Sequence, residues 1–231
     1  IDVANAINAA LVLSIMRFTR AQEAEADAYG VRLIEQAGYP PGAASAIWQQ
    51  VIEEDRASAR ARGRRYRDAT RSAMSSHPPN RERMLDLSAS ARELEAASAP
   101  PRRYDGGREA WRAAIAPLRA RLLEEQIGLN DPGVSLYLVT ALARDGWDGL
   151  LRYCEGEAYR LRDEPGDAAR AATAYARAVA SDDAPPEAWR AHGYALLKAG
   201  DADRGRQSLA RYLDRRPDAS DAAMVRFALA R

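Results

Sequence analysis

The stretch Arg20-Ala21-Gln22-Glu23-Ala24-Glu25-Ala26-Asp27, continued by Ala28-Tyr29-Gly30, lies inside an uninterrupted helical pattern that starts near Val3 and stops at Gly38. Leu11, Ile15 and Phe18 recur at steps of three and four, and Tyr29, Leu33 and Ala37 continue the apolar stripe with some drift. Glu23 and Asp27 are four residues apart, so both carboxylates project from one helix face. There they repel by about 0.2–0.5 kcal/mol unless a cation or a protonated imidazole stands beside them. Ala26 and Gly30 flank the pair and leave room for another element to approach. Composition alone reads Glu23, Glu25 and Asp27 as ordinary solvated acids, with Arg20 as a surface partner.

With 231 residues the chain can form one large or two small domains. Its net charge of +1 offers no electrostatic case for nucleic acid or an anionic membrane, and no nucleic-acid partner is expected. The single cysteine, Cys154, excludes a disulfide within the chain and is expected to be a small buried side chain rather than a nucleophile. One lysine, Lys198, stands among 34 basic residues, and no mechanism attaches to it. The most apolar early run, Ala9 to Met16, is shorter than the roughly 20 residues of a membrane span. No secretory signal pattern is visible. The chain enters directly in helical pattern at Ile1, as expected of a fragment.

Gly38 marks the end of the first helix, and Tyr39-Pro40-Pro41 prevents its continuation. Ala43 to about Ser75 then reads as one long helix or two short ones, packing through Ile47, Trp48, Val51 and Ile52, with a break at Gly63. Its later part is basic from Arg56 to Arg71. That run could meet phosphate or an acidic partner, but aromatic interleaving is almost absent and it reads better as a solvated flank. Next comes Ser75-Ser76-His77-Pro78-Pro79-Asn80-Arg81-Glu82-Arg83. The two prolines stiffen the loop, Asn80 is expected to cap a helix running to about Ala97, and Arg83 falls in its first turn. His77 is thereby held on a rigid loop before a helix, although a lone loop histidine is more often structural.

The motifs RxxExEAD followed by Tyr29-Gly30, then AGYPP at Ala37–Pro41, then a His77-Pro78 segment with Arg83 beyond it, resemble the HtpX-like zinc metallopeptidases. The likeness is to the soluble, BepA-like periplasmic branch that carries a helical repeat domain, and it covers roughly Met16 to Arg83. It implies that Glu23 is the third zinc ligand and that Asp27 orients a ligand histidine. It implies that His77 either caps the zinc in a resting state or stabilises an oxyanion. Arg83 would bind a carboxylate of the site or of the substrate, or simply cap its helix. The resemblance also implies one zinc ion in the full-length parent. The two histidine ligands and the general base of an HExxH helix are absent from this chain, whose only histidines are His77 and His192. The expected parent carries that helix upstream of Ile1, and the chain alone is expected to be inactive.

From Ser98 to Gly107 two prolines and two glycines read as a linker. The expected division is 1–99 as the C-terminal part of a metallopeptidase domain, 100–107 as linker and 108–231 as a helical domain. Arg108 to Ile127 is amphipathic, with Pro117 as a kink. Val134 to Ala143 is a short helix, and Asp148 is placed to cap the next. No alternating strand is found, so the fold class is all-α. From Pro185, the spacing of Trp189, His192, Gly193, Leu196, Gly205, Leu209, Tyr212 and Pro217 matches a tetratricopeptide repeat, with Gly205 and His192 departing from it. One unit earlier, Gly156, Tyr159, Ala171, Tyr175 and Ala178 fit with three extra residues around Pro165-Gly166. His192 is read as a core or groove residue, and Trp147, Tyr153 and Trp189 as packing.

The reading is a zincin-like metallopeptidase fragment followed by tetratricopeptide-like hairpins. The implied parent is a zinc metalloendopeptidase of envelope protein quality control in the periplasm, with protein or peptide substrates docking on the repeat groove and membrane-associated proteins among its partners. The alternatives are a non-catalytic repeat scaffold, chaperone-like in kind, and an inactive relative that lost the zinc helix.

Overall fold

A computed structural model describes residues 3–67, 77–98, 103–104 and 107–230, with side chains from Leu11 onward except that of Arg108. Among these residues there are eleven α-helices, two short 3-10 turns and no strand, so the fold is all-α. By their contacts they form two compact units, 1–56 with 65–115, and 57–64 with 116–231. The expected linker, 100–107, falls within the first of these, and 100–102 and 105–106 lie outside the described residues.

The first unit begins with α1 (Val3–Gln36). Gly38, at φ +86°, ends it as expected. Its N–H donates to Glu35 O and the Tyr39 N–H donates to Ile34 O, each at 3.0 Å, which closes a Schellman motif. The helix α2 (Ala43–Ala61) follows. It ends in the same way: Gly63 at φ +62° donates to Arg60 O, and Arg64 donates to Ala59 O. The break at Gly63 is thus observed, while residues 68–75 of the expected second helix lie outside the described residues. The helix α3 (Asn80–Ala97) packs on α1, and α4 (Arg108–Ile115) completes the unit. Asn80 does not cap α3. Pro79 holds the cap position without a side-chain bond, because its fixed φ of −57° already starts the turn.

The core of this unit is small: Val31, Ala44, Leu87 and Ala91, with Ile34, Trp48 and Leu94 packed against it. The expected stripe on α1 is not that core. Leu11, Ile15, Phe18, Tyr29 and Leu33 are exposed, as are Ile47 on α2 and Trp111 on α4. Periodicity defined the apolar face correctly, but no described element covers it.

In the second unit the 3-10 turn Ala116–Leu118 breaks the helix at Pro117, and α5 (Arg119–Gly128) follows. Then come α6 (Pro132–Leu142), α7 (Gly149–Arg162), α8 (Asp167–Val179), α9 (Pro186–Lys198), α10 (Ala202–Arg215) and α11 (Ala222–Leu229). From α6 onward each helix packs on its successor. Asp131, Asp148 and Asp201 cap α6, α7 and α10 by accepting from the N–H groups of Val134, Leu151 and Arg204. One core joins Leu123, Val139, Leu151, Cys154 and Tyr175, and another joins Trp189, Leu209, Tyr212 and Val225. Burial pushes the Cys154 thiol up to about 12, which makes it an inert core side chain.

Two glycines permit close helix approach. A Cβ on Gly156 would enter the Tyr175 ring, and one on Gly193 would sit 2.7 Å from Leu209 Cγ. We expect Gly156→Ala to lower stability by about 1–3 kcal/mol through overpacking, outweighing the roughly 1 kcal/mol gained in helix propensity. A urea melt of the two proteins checks this.

Candidate functional site

The residues expected to carry chemistry come together in the first unit. On α1, Glu23 and Asp27 lie one turn apart, and Arg83 reaches them from the first turn of α3. That turn is closed by the Arg83 N–H donating to Pro79 O at 3.1 Å. Arg83 Nε donates to Asp27 Oδ2 at 2.7 Å and Nη2 donates to Oδ1 at 2.6 Å, a bidentate fork. The same Nη2 is 3.2 Å from Glu23 Oε2. The guanidinium carbon stands 4.0 Å from the centroid of the Trp48 ring, a cation–π contact. Arg83 is only 14% exposed in its side chain. The hydrogen bonds that Arg83 donates to Asp27 hold the guanidinium pKa above the usual value against the opposing effect of burial, with the Asp27 and Glu23 charges adding to the shift.

His77 lies immediately before the Pro78-Pro79 pair, with Nδ1 3.4 Å from Glu23 Oε1. That distance is longer than a good hydrogen bond, and the ring is largely exposed. Glu23 therefore stands between a cation on one oxygen and an imidazole on the other. This is the arrangement that relieves the repulsion between the two carboxylates of α1. A cavity of about 640 Å³ opens beside the cluster, bordered by Arg17, Arg20, Asp27, Pro78 and Arg83.

His192 belongs elsewhere. It is buried between α9 and α10 in the second unit, with Nδ1 3.0 Å from Ser208 Oγ, and burial lowers its pKa. It is a packing residue, as expected of it.

A catalytic zinc needs three protein ligands and an open position. Among the described residues no group of three or more His, Cys, Asp or Glu is placed to hold a metal ion. Both Asp27 oxygens are taken by Arg83, and only Glu23 and His77 face each other. The described residues do not by themselves fit a zinc site.

Sequence reasoning named Glu23, Asp27, His77 and Arg83 but missed how they join. The fork from Arg83 to Asp27 and the Trp48 ring beneath it cross 56 and 35 positions of chain respectively, and no local pattern signals them.

Residues 2–91 match the model of Peptidase family M48. The cluster of Glu23, Asp27, His77 and Arg83 lies wholly inside the matched segment, and the second unit from Ala116 onward lies outside it. No curated protein and no solved structure matches the chain. The comparisons thus associate the first part of the chain with a metallopeptidase family.

Proposed function

We propose that residues 2–91 are the third-ligand portion of a zinc-dependent metalloendopeptidase of the HtpX/BepA-like kind. The observation that carries this reading is the convergence of Glu23, Asp27, Arg83 and His77 inside the segment that matches the peptidase family. Glu23 then supplies one ligand to a site whose two imidazoles and general-base glutamate come from an HExxH helix outside these 231 residues. Asp27 and Arg83 form the brace that aims Glu23, and His77 faces the carboxylate oxygen of Glu23 that Arg83 does not contact. Alone, the chain is inactive.

In this reading the second unit is a tetratricopeptide-like docking domain for polypeptide substrates, at work in periplasmic envelope quality control near membrane-associated proteins. Its support is the repetition of α7–α8 by α9–α10. Gly156 and Gly193 stand at equivalent places, as do Tyr175 and Tyr212, and each tyrosine hydroxyl donates to a carboxylate at 2.6 Å. A non-catalytic docking scaffold is the second reading, favoured by the lack of a metal-holding group among the described residues.

The test compares bound zinc, by elemental analysis, in the 231-residue chain and in the product of the reading frame extended upstream. The extended protein is expected to hold one zinc per chain, Glu23→Ala to lose it, and the 231-residue chain to hold none. No zinc in the extended protein would leave the scaffold reading standing.

A further inference from the structure

The second unit holds a cavity of about 270 Å³ between α8, α9 and α10. That is below the roughly 300–1,000 Å³ of sites for drug-sized molecules, so the ligand it fits is small. Arg204, Gln207, Ser208 and Arg211 reach it at steps of three and four from one face of α10, and the buried His192 of α9 lines it as well. Among the described residues no acidic side chain borders it, in a chain that carries 33 acids.

The ring of His192 packs between α9 and α10, with Nδ1 bonded to Ser208 Oγ. Ser208 Oγ donates to no backbone carbonyl among the described residues, so its proton goes to Nδ1 and the imidazole proton stands on Nε2. Nε2 has no partner among the described residues. It is not sealed either, since among those residues the Tyr104 hydroxyl is the one fully enclosed side-chain polar atom without a hydrogen bond. An N–H donor thus opens onto the cavity. Burial first, and then the Arg204 charge against the weaker effect of Asp201, lower the imidazole pKa, which keeps the ring neutral and the donor in place.

The two guanidiniums beside it are little engaged. Arg211 has no ion pair among the described residues, and its guanidinium carbon lies 4.7 Å from the centroid of the Trp189 ring. Arg204 has one pair, to Asp201 at 3.3 Å, and its side chain is 67% exposed. We propose that this cavity binds a phosphate dianion, free or as the end group of a small ester, on Arg204, Arg211 and the Nε2–H of His192, with the Gln207 amide as a further donor. Two cations and two neutral donors suit an oxyanion with several acceptor oxygens, whereas a carboxylate would leave part of them unpaired. The proposal does not depend on the peptidase reading of the first unit.

The experiment titrates the full 231-residue chain with inorganic phosphate, methyl phosphate and acetate in turn, slightly above neutral pH and at constant ionic strength, and follows the imidazole nitrogens by NMR. The His192 signals are assigned by their loss in His192→Gln. Phosphate is expected to shift the Nε2 signal saturably, with a dissociation constant on the order of 1 mM. Acetate should bind about tenfold more weakly. Arg211→Gln, a change at an exposed position, should weaken phosphate about three- to tenfold. Arg206→Gln removes the same charge from α10 at a residue that does not border the cavity, and should leave the affinity unchanged. Methyl phosphate bound as tightly as inorganic phosphate would identify an ester end group as the ligand, and a preference for inorganic phosphate would identify the free ion. No saturable shift of His192, acetate bound as tightly as phosphate, or equal weakening by Arg206→Gln and Arg211→Gln would each overturn the proposal.

Discussion

Arg83→Ala is expected to destabilise the first unit by about 3 kcal/mol. The side chain holds Asp27 through two hydrogen bonds, touches Glu23 and stacks on Trp48, and its removal leaves two carboxylates one turn apart with no cation between them. Breaking such a fully buried pair costs about 3–5 kcal/mol. Here Asp27 and Glu23 retain some solvent contact, at 20% and 31% exposure, so the lower end applies. Arg83→Lys should recover only a small part, since an ammonium cannot reproduce the planar fork or the face contact with the indole. In a double-mutant cycle, Asp27→Asn in the Arg83→Ala background should cost less than in the parent. Equal costs in both backgrounds, read from urea melts, would show that Asp27 and Arg83 do not act as a unit.

The second large effect is expected from Asp167→Ala. Asp167 is fully buried at the start of α8. It accepts from Arg162 Nε and Nη2 at 2.7 Å, from Arg170 Nη1 at 2.8 Å and from the Glu164 N–H at 3.1 Å. The substitution leaves Arg162 with only the longer pair to Glu164 at 3.4 Å and the Glu164 N–H without its acceptor, at a cost of about 3 kcal/mol. The hydrogen bonds from Arg162, assisted by those from Arg170 and Glu164, hold the Asp167 carboxyl far below the usual carboxylate range, against the effect of burial. A carboxyl depressed on folding stabilises the protein at every pH above its unfolded value of about 3.9, and that contribution is lost as pH falls below it. The stability gap between the parent and Asp167→Asn should therefore be constant from neutral pH to about pH 5 and narrow below pH 4. A gap that is constant down to pH 2 would mean that the carboxyl is not ionically held.

Most of the helical plan was legible because its punctuation is local. Gly38, Gly63, Pro117 and Asp148 each act within a turn of chain, and each does in the structure what its chemistry predicts. Asn80 misled because proline can set the entry to a helix without any side-chain cap. The apolar residues of α1 misled for another reason: a 3.6-residue period shows which face is apolar and says nothing of what lies against it. In the candidate site, the spacing of Glu23 and Asp27 placed two carboxylates on one face, and the likeness to a known family directed attention to His77 and Arg83. That Arg83 clamps Asp27 above Trp48 depends on how α1, α2 and α3 assemble, and no periodicity encodes it. The ionic knots at Glu157, Asp167 and Asp221 escaped notice because each acid sits in a run of ordinary surface charges.

The segment 57–64 makes the second unit discontinuous in sequence. Ser58 Oγ donates to Asp131 Oδ2 at 2.6 Å across 73 positions, Arg62 joins the same oxygen at 2.7 Å, and Gly133 lies so close to Ala57 that a Cβ there would be 2.6 Å from its carbonyl oxygen. Every other helix pairing in that unit is between near neighbours, which favours rapid folding from local contacts. This one must close a long loop first, at an entropic cost that the local pairings never meet. During synthesis residues 57–64 leave the ribosome well before Asp131 exists. The hairpins α7 to α10 can therefore form as an autonomous stack, while the strap across the start of α6 is a late event whose absence would mark a partly folded species.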